Sequence, residues 1–215
     1  MLELFGRKSS FNVQKIMWFI AELELSCHHI EVGGSFGGLN NEEFRAMNPH
    51  GRVPVIDDGG IVVWESHAIL RYLAARYGSP KFWNDDPAVQ SQADRWMDWA
   101  QTALQPDFLN GVFWGFYRTP EAQRDKTAVN AKIASTAYHL RLLDQVLEDK
   151  TYLVGADLSL ADIPAGTTLY RYFNIDIDRP HLANVERWYH ALQERPAYRE
   201  GIMVPFDELY GRLDY

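Results

Sequence analysis

Two short stretches of this chain carry residue types that can do chemistry. In the first, Ser9, Ser10 and Asn12 lie in a polar loop, Arg7 to Asn12, ending where Val13, Ile16, Met17 and Ile20 begin a helical repeat. Hydroxyl and amide groups there stand at the positive end of a helix, where donors and backbone N–H groups favour an anion. In the second, Val53-Pro54 opens a short apolar strand and Glu65-Ser66 opens another helix. A helix start attracts a carboxylate; Ser66 can add its hydroxyl while Glu65 takes a neighbouring ammonium. Arg52 and His50 lie just upstream, and an arginine can grip a carboxylate with two parallel hydrogen bonds. Each residue also has a plainer reading. Ser10 and Ser66 suit helix caps, Glu65 suits a solvated acid, and Pro54 suits a strand edge because it has no N–H to give.

The elements that must position these groups follow from periodicity. Leu2 to Phe5 reads as a strand ending at Gly6, and His29 to Val32 as a second strand. Gly33 to Gly38 is a loop, and Asn40 or Asn41 can cap a short helix through Met47. Val53 to Ile56 and Ile61 to Trp64 are strands joined by Asp57-Asp58-Gly59-Gly60, a hairpin signal. Ile69, Leu70, Leu73 and Tyr77 mark a helix ending at Gly78. The order βαβαββα, with mixed strand pairing, matches an α/β thioredoxin-like domain over residues 1–79. Residues 80–86 read as a linker, and 87–215 as an all-α helical domain. There, 87–117 forms one long helix with a bend expected near Pro106. Ile133, Ala137, Leu140 and Leu147 form a second stripe, and Val185, Trp188 and Leu192 a third.

Composition narrows the function. With 21 Lys and Arg against 29 Asp and Glu among 215 residues, the net charge is −8, which argues against a nucleic-acid binder. A single cysteine, Cys27, excludes an intrachain disulfide and a cysteine-rich zinc site. The Cys27-His28-His29 run has no companions at metal spacing and reads as local packing, so no metal is expected. The chain opens into a strand rather than a signal peptide, and no apolar run nears a membrane span. A soluble, cytoplasmic protein is expected.

The stretch Asn48-Pro49-His50-Gly51-Arg52-Val53-Pro54-Val55-Ile56, followed by Trp64-Glu65-Ser66-His67-Ala68-Ile69-Leu70-Arg71-Tyr72-Leu73, resembles the glutathione-binding half of cytosolic glutathione S-transferases. Gly6-Arg7-x-x-Ser10-x-Asn12-Val13-x-Lys15 resembles the catalytic loop of bacterial theta-like and nu-like members. Tyr152-Leu153-Val154-Gly155 and Ser159-Leu160-Ala161-Asp162 resemble a stability element of the family's helical half, so the resemblance spans nearly the whole chain.

The resemblance implies roles. Pro54 is expected in the cis form, with Val53 pairing its backbone with the cysteinyl part of glutathione. Glu65 and Ser66 would hold the γ-glutamyl end, and Arg52 and His50 the glycine carboxylate. Ser10 would donate to the thiolate, with Asn12 as second donor; Ser9 is the alternative if the register slips. Neither a tyrosine nor a cysteine lies in this loop, which sets aside the tyrosine-based classes and a mechanism using the protein's own thiol. Trp114, Tyr117 and Arg118 are the candidates for the pocket of a hydrophobic electrophile, though such aromatic clusters also serve as core. Asp98 is a candidate to reach glutathione across a homodimer interface, and Asp162 is expected to be structural. The function implied is conjugation of glutathione to an electrophile. Nu-type disulfide reduction and a non-catalytic binding module are the alternatives.

Overall fold

The computed structural model describes residues 1–213; Asp214 and Tyr215, the end of the expected helical region, lie outside the described residues. The contacts divide the chain into two units, residues 1–83 with 197–205, and residues 84–196 with 206–213.

The first unit is a four-stranded mixed sheet with helices. Its strands are β1 (Leu2–Phe5), β2 (Cys27–Ile30), β3 (Val55–Asp58) and β4 (Val62–Trp64), in the order β2-β1-β3-β4. Its helices are α1 (Phe11–Glu22), α2 (Glu42–Met47) and α3 (Ser66–Tyr77). β1 and β2 run parallel, Leu2 opposite Cys27 and Phe5 opposite Ile30, which requires the α1 crossover. β3 is antiparallel to both β1 and β4. The βαβαββα order expected of a thioredoxin-like domain is therefore present. Leu2, Leu4, Val55 and Ile56 of the sheet are buried, as are Val13, Ile16, Phe19, Ile20, Ile69, Leu70 and Leu73 of the helices. Covering this much apolar side-chain surface is the main force holding the unit together.

Two strands differ from expectation. β2 starts two residues earlier, and its ladder ends where the Gly6 N–H donates to Ile30 O (3.0 Å). The chain then swings away at Gly33, whose φ of 84° favours glycine. β3 begins at Val55 rather than Val53, and the Val53–Pro54 bond before it is cis, as the family resemblance implies.

The end of the chain returns to this unit through Tyr198 and Gly201 of α8 (Pro196–Ile202). The Trp18 and Tyr198 rings meet edge-on at 4.8 Å, and both are fully buried. Gly201 lies so close to α1 that a Cβ there would come 2.5 Å from the Trp18 nitrogen.

The second unit is helical. α4 (Pro87–Trp99) runs on through π-helical stretches at Ala100–Leu104 and Pro106–Arg118. α5 (Lys126–Val146), α6 (Asp162–Asn174) and α7 (Ala183–Gln193) follow. The helix widens around Pro106, where a bend was expected. A proline in an α-helix clashes with the carbonyl four residues back, and bonding five residues back, as in Gln105 N–H to Ala100 O, changes that spacing. The next residue, Asp107, ties the widened helix to α5. It accepts from Lys132 Nζ (2.6 Å), from the Ser135 hydroxyl and from His139 Nε2 (3.0 Å).

α6 begins with a buried polar knot. Asp162, fully buried, accepts hydrogen bonds from Leu153 N, Ser159 N and Ser159 Oγ, each 2.9 Å. In return, Ser159 Oγ accepts from Ala161 N at 3.3 Å. This is a capping box with aspartate at its third position. Burial nonetheless pushes the Asp162 carboxyl up to about 6, against the opposing pull of these donors.

Candidate active site

Ser10 is the N-cap residue of α1 (φ −76°, ψ 123°), but its side chain makes no cap hydrogen bond. Its backbone does the local work: Ser10 N donates to Arg7 O (3.0 Å), and Ser10 O accepts from Gln14 N (2.9 Å). The plain capping explanation for this hydroxyl therefore fails. Asn12 is the second residue of the same helix, and its Oδ1 is buried with no hydrogen-bond partner. Such an atom costs about 1–3 kcal/mol unless something meets it.

α3 repeats the pattern. Its N-cap is Glu65, again with no side-chain cap bond, and Ser66 is the first helical residue, 5% exposed. Ser66 is thus not the cap that the plainer sequence reading allows. Glu65 adopts φ 70°, ψ 119°, a region that non-glycine residues enter at a cost of about 1–3 kcal/mol. Strain of this kind survives where the surroundings impose it, commonly at binding sites. The exposed Glu65 carboxylate stands ahead of the free N–H groups of Ser66, His67 and Ala68.

One contact joins the start of α1 to the loop before β3. Gly6 (φ 151°) packs between α1 and Val53; a Cβ there would lie 2.4 Å from Val13 Cγ2 and 3.1 Å from Val53 Cβ. No side chain fits. His29 Nε2 donates to the Gly6 carbonyl at 2.6 Å and fixes the same turn. α1 and α3 are joined inside the unit by Lys15 Nζ and His67 Nε2, 3.2 Å apart. Ser10, Asn12, Val53, Pro54, Glu65 and Ser66 are thereby assembled on one framework.

The segment bearing Arg52 is organised by Asn48, which is 3% exposed. Its Nδ2 donates to Arg52 O (2.8 Å), and its Oδ1 accepts from His50 N (3.0 Å). Its own backbone carbonyl accepts from Gly51 N (2.9 Å). The Arg52 side chain is exposed and makes no hydrogen bond or ion pair among the described residues. His50 is exposed too, with its ring 5.3 Å from that of Trp64.

The aromatic candidates belong to the second unit. Tyr117 stacks on Phe113 (5.2 Å) and meets Phe206 and Tyr210 edge-on (5.1 and 5.2 Å). Burial, with help from the Asp207 charge, pushes its hydroxyl above the usual tyrosine range. Trp114 is half-buried, and its ring is covered by the Arg118 guanidinium at 3.7 Å. Arg118 itself is 2% exposed, with Nε donating to Arg212 O (2.9 Å). It braces the 206–212 segment rather than presenting a charge. Asp98 is exposed on α4.

Three residues of this framework lie inside the matched stretches but receive no role from the motifs: Asn48, Lys15 and His67. Asn48 leaves little trace beyond the Asn-Pro turn. Lys15 was detectable, because a lysine sits in the stripe Phe11, Lys15, Trp18, Phe19, where every other member is apolar. Cys27 plays no part here: burial pushes its thiol up to about 11, so it stays protonated and unreactive.

Comparison with known proteins identifies the family. Residues 4–81 match the family described as glutathione S-transferase, N-terminal domain, and residues 97–196 match the glutathione S-transferase C-terminal domain. The chain is 38% identical to the glutathione S-transferase GstB of Escherichia coli K12, over 95% of this chain and 99% of that protein. It is 35% identical to mouse glutathione S-transferase theta-1 over 60% of this chain and 55% of that one. A theta class glutathione S-transferase from Xanthomonas axonopodis pv. citri, solved with glutathione bound, superposes with a TM-score of 0.89. That structure is 41% identical and covers 95% of this chain and 98% of its own. Both halves being matched, the chain belongs to the glutathione S-transferase family.

Proposed function

We propose that this protein is a glutathione transferase that binds the tripeptide on its first unit and activates the thiol with Ser10. The observation that carries this reading is the pair of joined helix starts whose side chains do not cap their own helices. Ser66 and the α3 N–H groups suit the γ-glutamyl carboxylate, and Glu65 its ammonium. Val53 offers backbone groups to the cysteinyl residue, as an added strand would. Pro54 shapes that turn. The exposed Arg52, with His50 beside it, suits the glycine carboxylate. Residues 1–79 are then the glutathione-binding domain and 87–215 the substrate-binding domain, with Trp114 and Tyr117 selecting a hydrophobic electrophile. Arg118 contributes by supporting Trp114.

The chemistry is thiolate attack on an electrophilic carbon. A free thiol with pKa about 8.5 is only a few per cent ionised at pH 7. Lowering that value by about two units takes about 2.7 kcal/mol of preferential stabilisation, which one or two aimed donors supply. Ser10 and Asn12 are those donors. The protein acts as a homodimer in the cytoplasm, where its free Cys27 stays reduced. Conjugation of a chloronitrobenzene, with retention on immobilised glutathione, is the test. Retention without turnover across a panel of electrophiles points to a binding module, and failure to be retained overturns the reading.

Asn12, which matches the asparagine of the nu-type loop, favours one second reading, a nu-type glutathione-dependent disulfide reductase using the same site. Turnover of a small disulfide far above conjugation would select it.

A further inference from the structure

A lysine rarely lies fully buried without a task. Lys15 is 1% exposed, with its ammonium 3.2 Å from the imidazole of His67, itself 3% exposed, and 5.1 Å from the Phe11 ring centroid. It lies between the two helices whose starts carry Ser10 with Asn12 and Glu65 with Ser66. From α3, His67 and Glu65 bear on it directly and Arg71 acts on His67. From α8, Glu200 approaches α1 farther along, beside Met17 and Ala21.

We propose that Lys15 is a proton-linked cation beneath the glutathione site, a positioning residue that binds a proton when the anionic tripeptide arrives. This rests on the glutathione reading given above.

His67 cannot be the cation. Burial, reinforced by the charges of Lys15 and Arg71, pushes it down to about 2, so its Nε2 is free to accept from the Lys15 ammonium. Lys15 is poised instead: burial lowers it to about 7, partly offset by the Glu65 carboxylate. An empty site therefore holds a mixture of charged and neutral Lys15 near neutral pH. Glutathione brings two carboxylates and one ammonium, a net negative charge. The ammonium, meeting Glu65, weakens the attraction between Glu65 and Lys15. The excess negative charge of the two carboxylates acts the other way and outweighs it, because charges interact strongly through a buried site. Binding thus raises the affinity of Lys15 for its proton, and by linkage a protonated Lys15 strengthens binding.

S-methylglutathione isolates this effect, because its sulfur cannot ionise. Titration calorimetry at pH 7.5 in buffers of different ionisation enthalpy should show uptake of about half a proton per site, for a rise of roughly one unit. Affinity should fall about fivefold between pH 6 and pH 8 for the same reason. In Lys15→Met both effects should vanish while binding persists more weakly. Binding by the wild-type protein with no proton uptake and a flat pH profile overturns the inference and leaves the glutathione reading intact. Uptake unchanged in Lys15→Met overturns it as well. Absence of any binding by the wild-type protein overturns the glutathione reading, and this inference with it.

Discussion

At the start of α6, Ser159 and Asp162 bond to each other and to the backbone: Asp162 takes three donors and Ser159 Oγ closes the box. At the start of α1, Ser10 occupies the cap position and makes no side-chain cap bond, while Asn12 leaves a buried oxygen unmet. α3 resembles α1, with a strained Glu65 ahead of an uncapped first turn. Three other helices, α2, α4 and α5, side with α6. Asn41 caps α2 through Phe44 N (2.8 Å), Asp86 caps α4 through Ala88 N (2.9 Å), and Asp125 caps α5 through Ala128 N (3.0 Å). Similar residue types thus divide into those that satisfy their own helix start and those that leave it open. The same local sequence chemistry serves stability where it is closed and, in the function proposed above, recognition where it is open.

Four experiments bear on this contrast. The largest effect is expected at the closed start. Asp162→Ala should cost about 3–5 kcal/mol in urea unfolding at pH 7, because it strands three buried donors. The pH dependence carries its own sign. The folded-state value of about 6 lies above the ordinary 3.8, so the folded state holds this proton more tightly. The stability owed to this group should be fully present below about pH 4 and lost as pH rises to about 6, by on the order of 2–3 kcal/mol. Comparing the stability profile of Asp162→Asn with that of the wild type should remove that slope.

At the open start the expectation inverts. Ser10→Ala should lower kcat/KM for conjugation about 100-fold at pH 6.5, or about 2.7 kcal/mol, and recover as pH rises and glutathione ionises unaided. Its unfolding midpoint should stay within about 1 °C, since no cap bond is lost. Activity unchanged between pH 6 and pH 8 would remove Ser10 from the mechanism.

Glu65→Gly should separate strain from binding at a single residue. Relieving the positive φ should add about 1 kcal/mol of stability, while KM for glutathione rises about tenfold through loss of the carboxylate. A gain in stability with KM unmoved would make Glu65 a bystander. The smallest effect is expected of the capping control: Asp125→Ala should cost about 1 kcal/mol in unfolding and leave turnover unaltered.

Much of the first unit was legible because its signals are local. Alternation in Leu2–Phe5, the Asp-Asp-Gly-Gly hairpin and the helical stripe after Ser10 each announce an element within a few residues. The strand edges at β2 and β3 were misjudged because hydrophobicity does not show where pairing stops. That is decided by Gly6 N reaching Ile30 O and by the turn at Val53–Pro54. The widening around Pro106 was invisible, since a π turn and an α turn draw on the same residues. The site shows the same limit. Motif spacing selected Ser10, Glu65 and Ser66, but their open state depends on bonds that are not made. Lys15 pairs with His67 across 52 positions of sequence, and no local pattern reports such a partner. Arg118 looked available by type alone, whereas its guanidinium is committed to Trp114 and Arg212.

The return of Tyr198 and Gly201 to α1 sets a schedule for the protein's synthesis. Trp18 leaves the ribosome long before the ring that covers it and the glycine that nests against its backbone are made. At about 5–20 residues per second the interval lasts on the order of ten seconds. Throughout it, a large indole that ends fully buried has one face without its neighbour. A nascent chain stalled before Tyr198 would display that apolar face to chaperones and proteases, and synthesis of α8 would withdraw it.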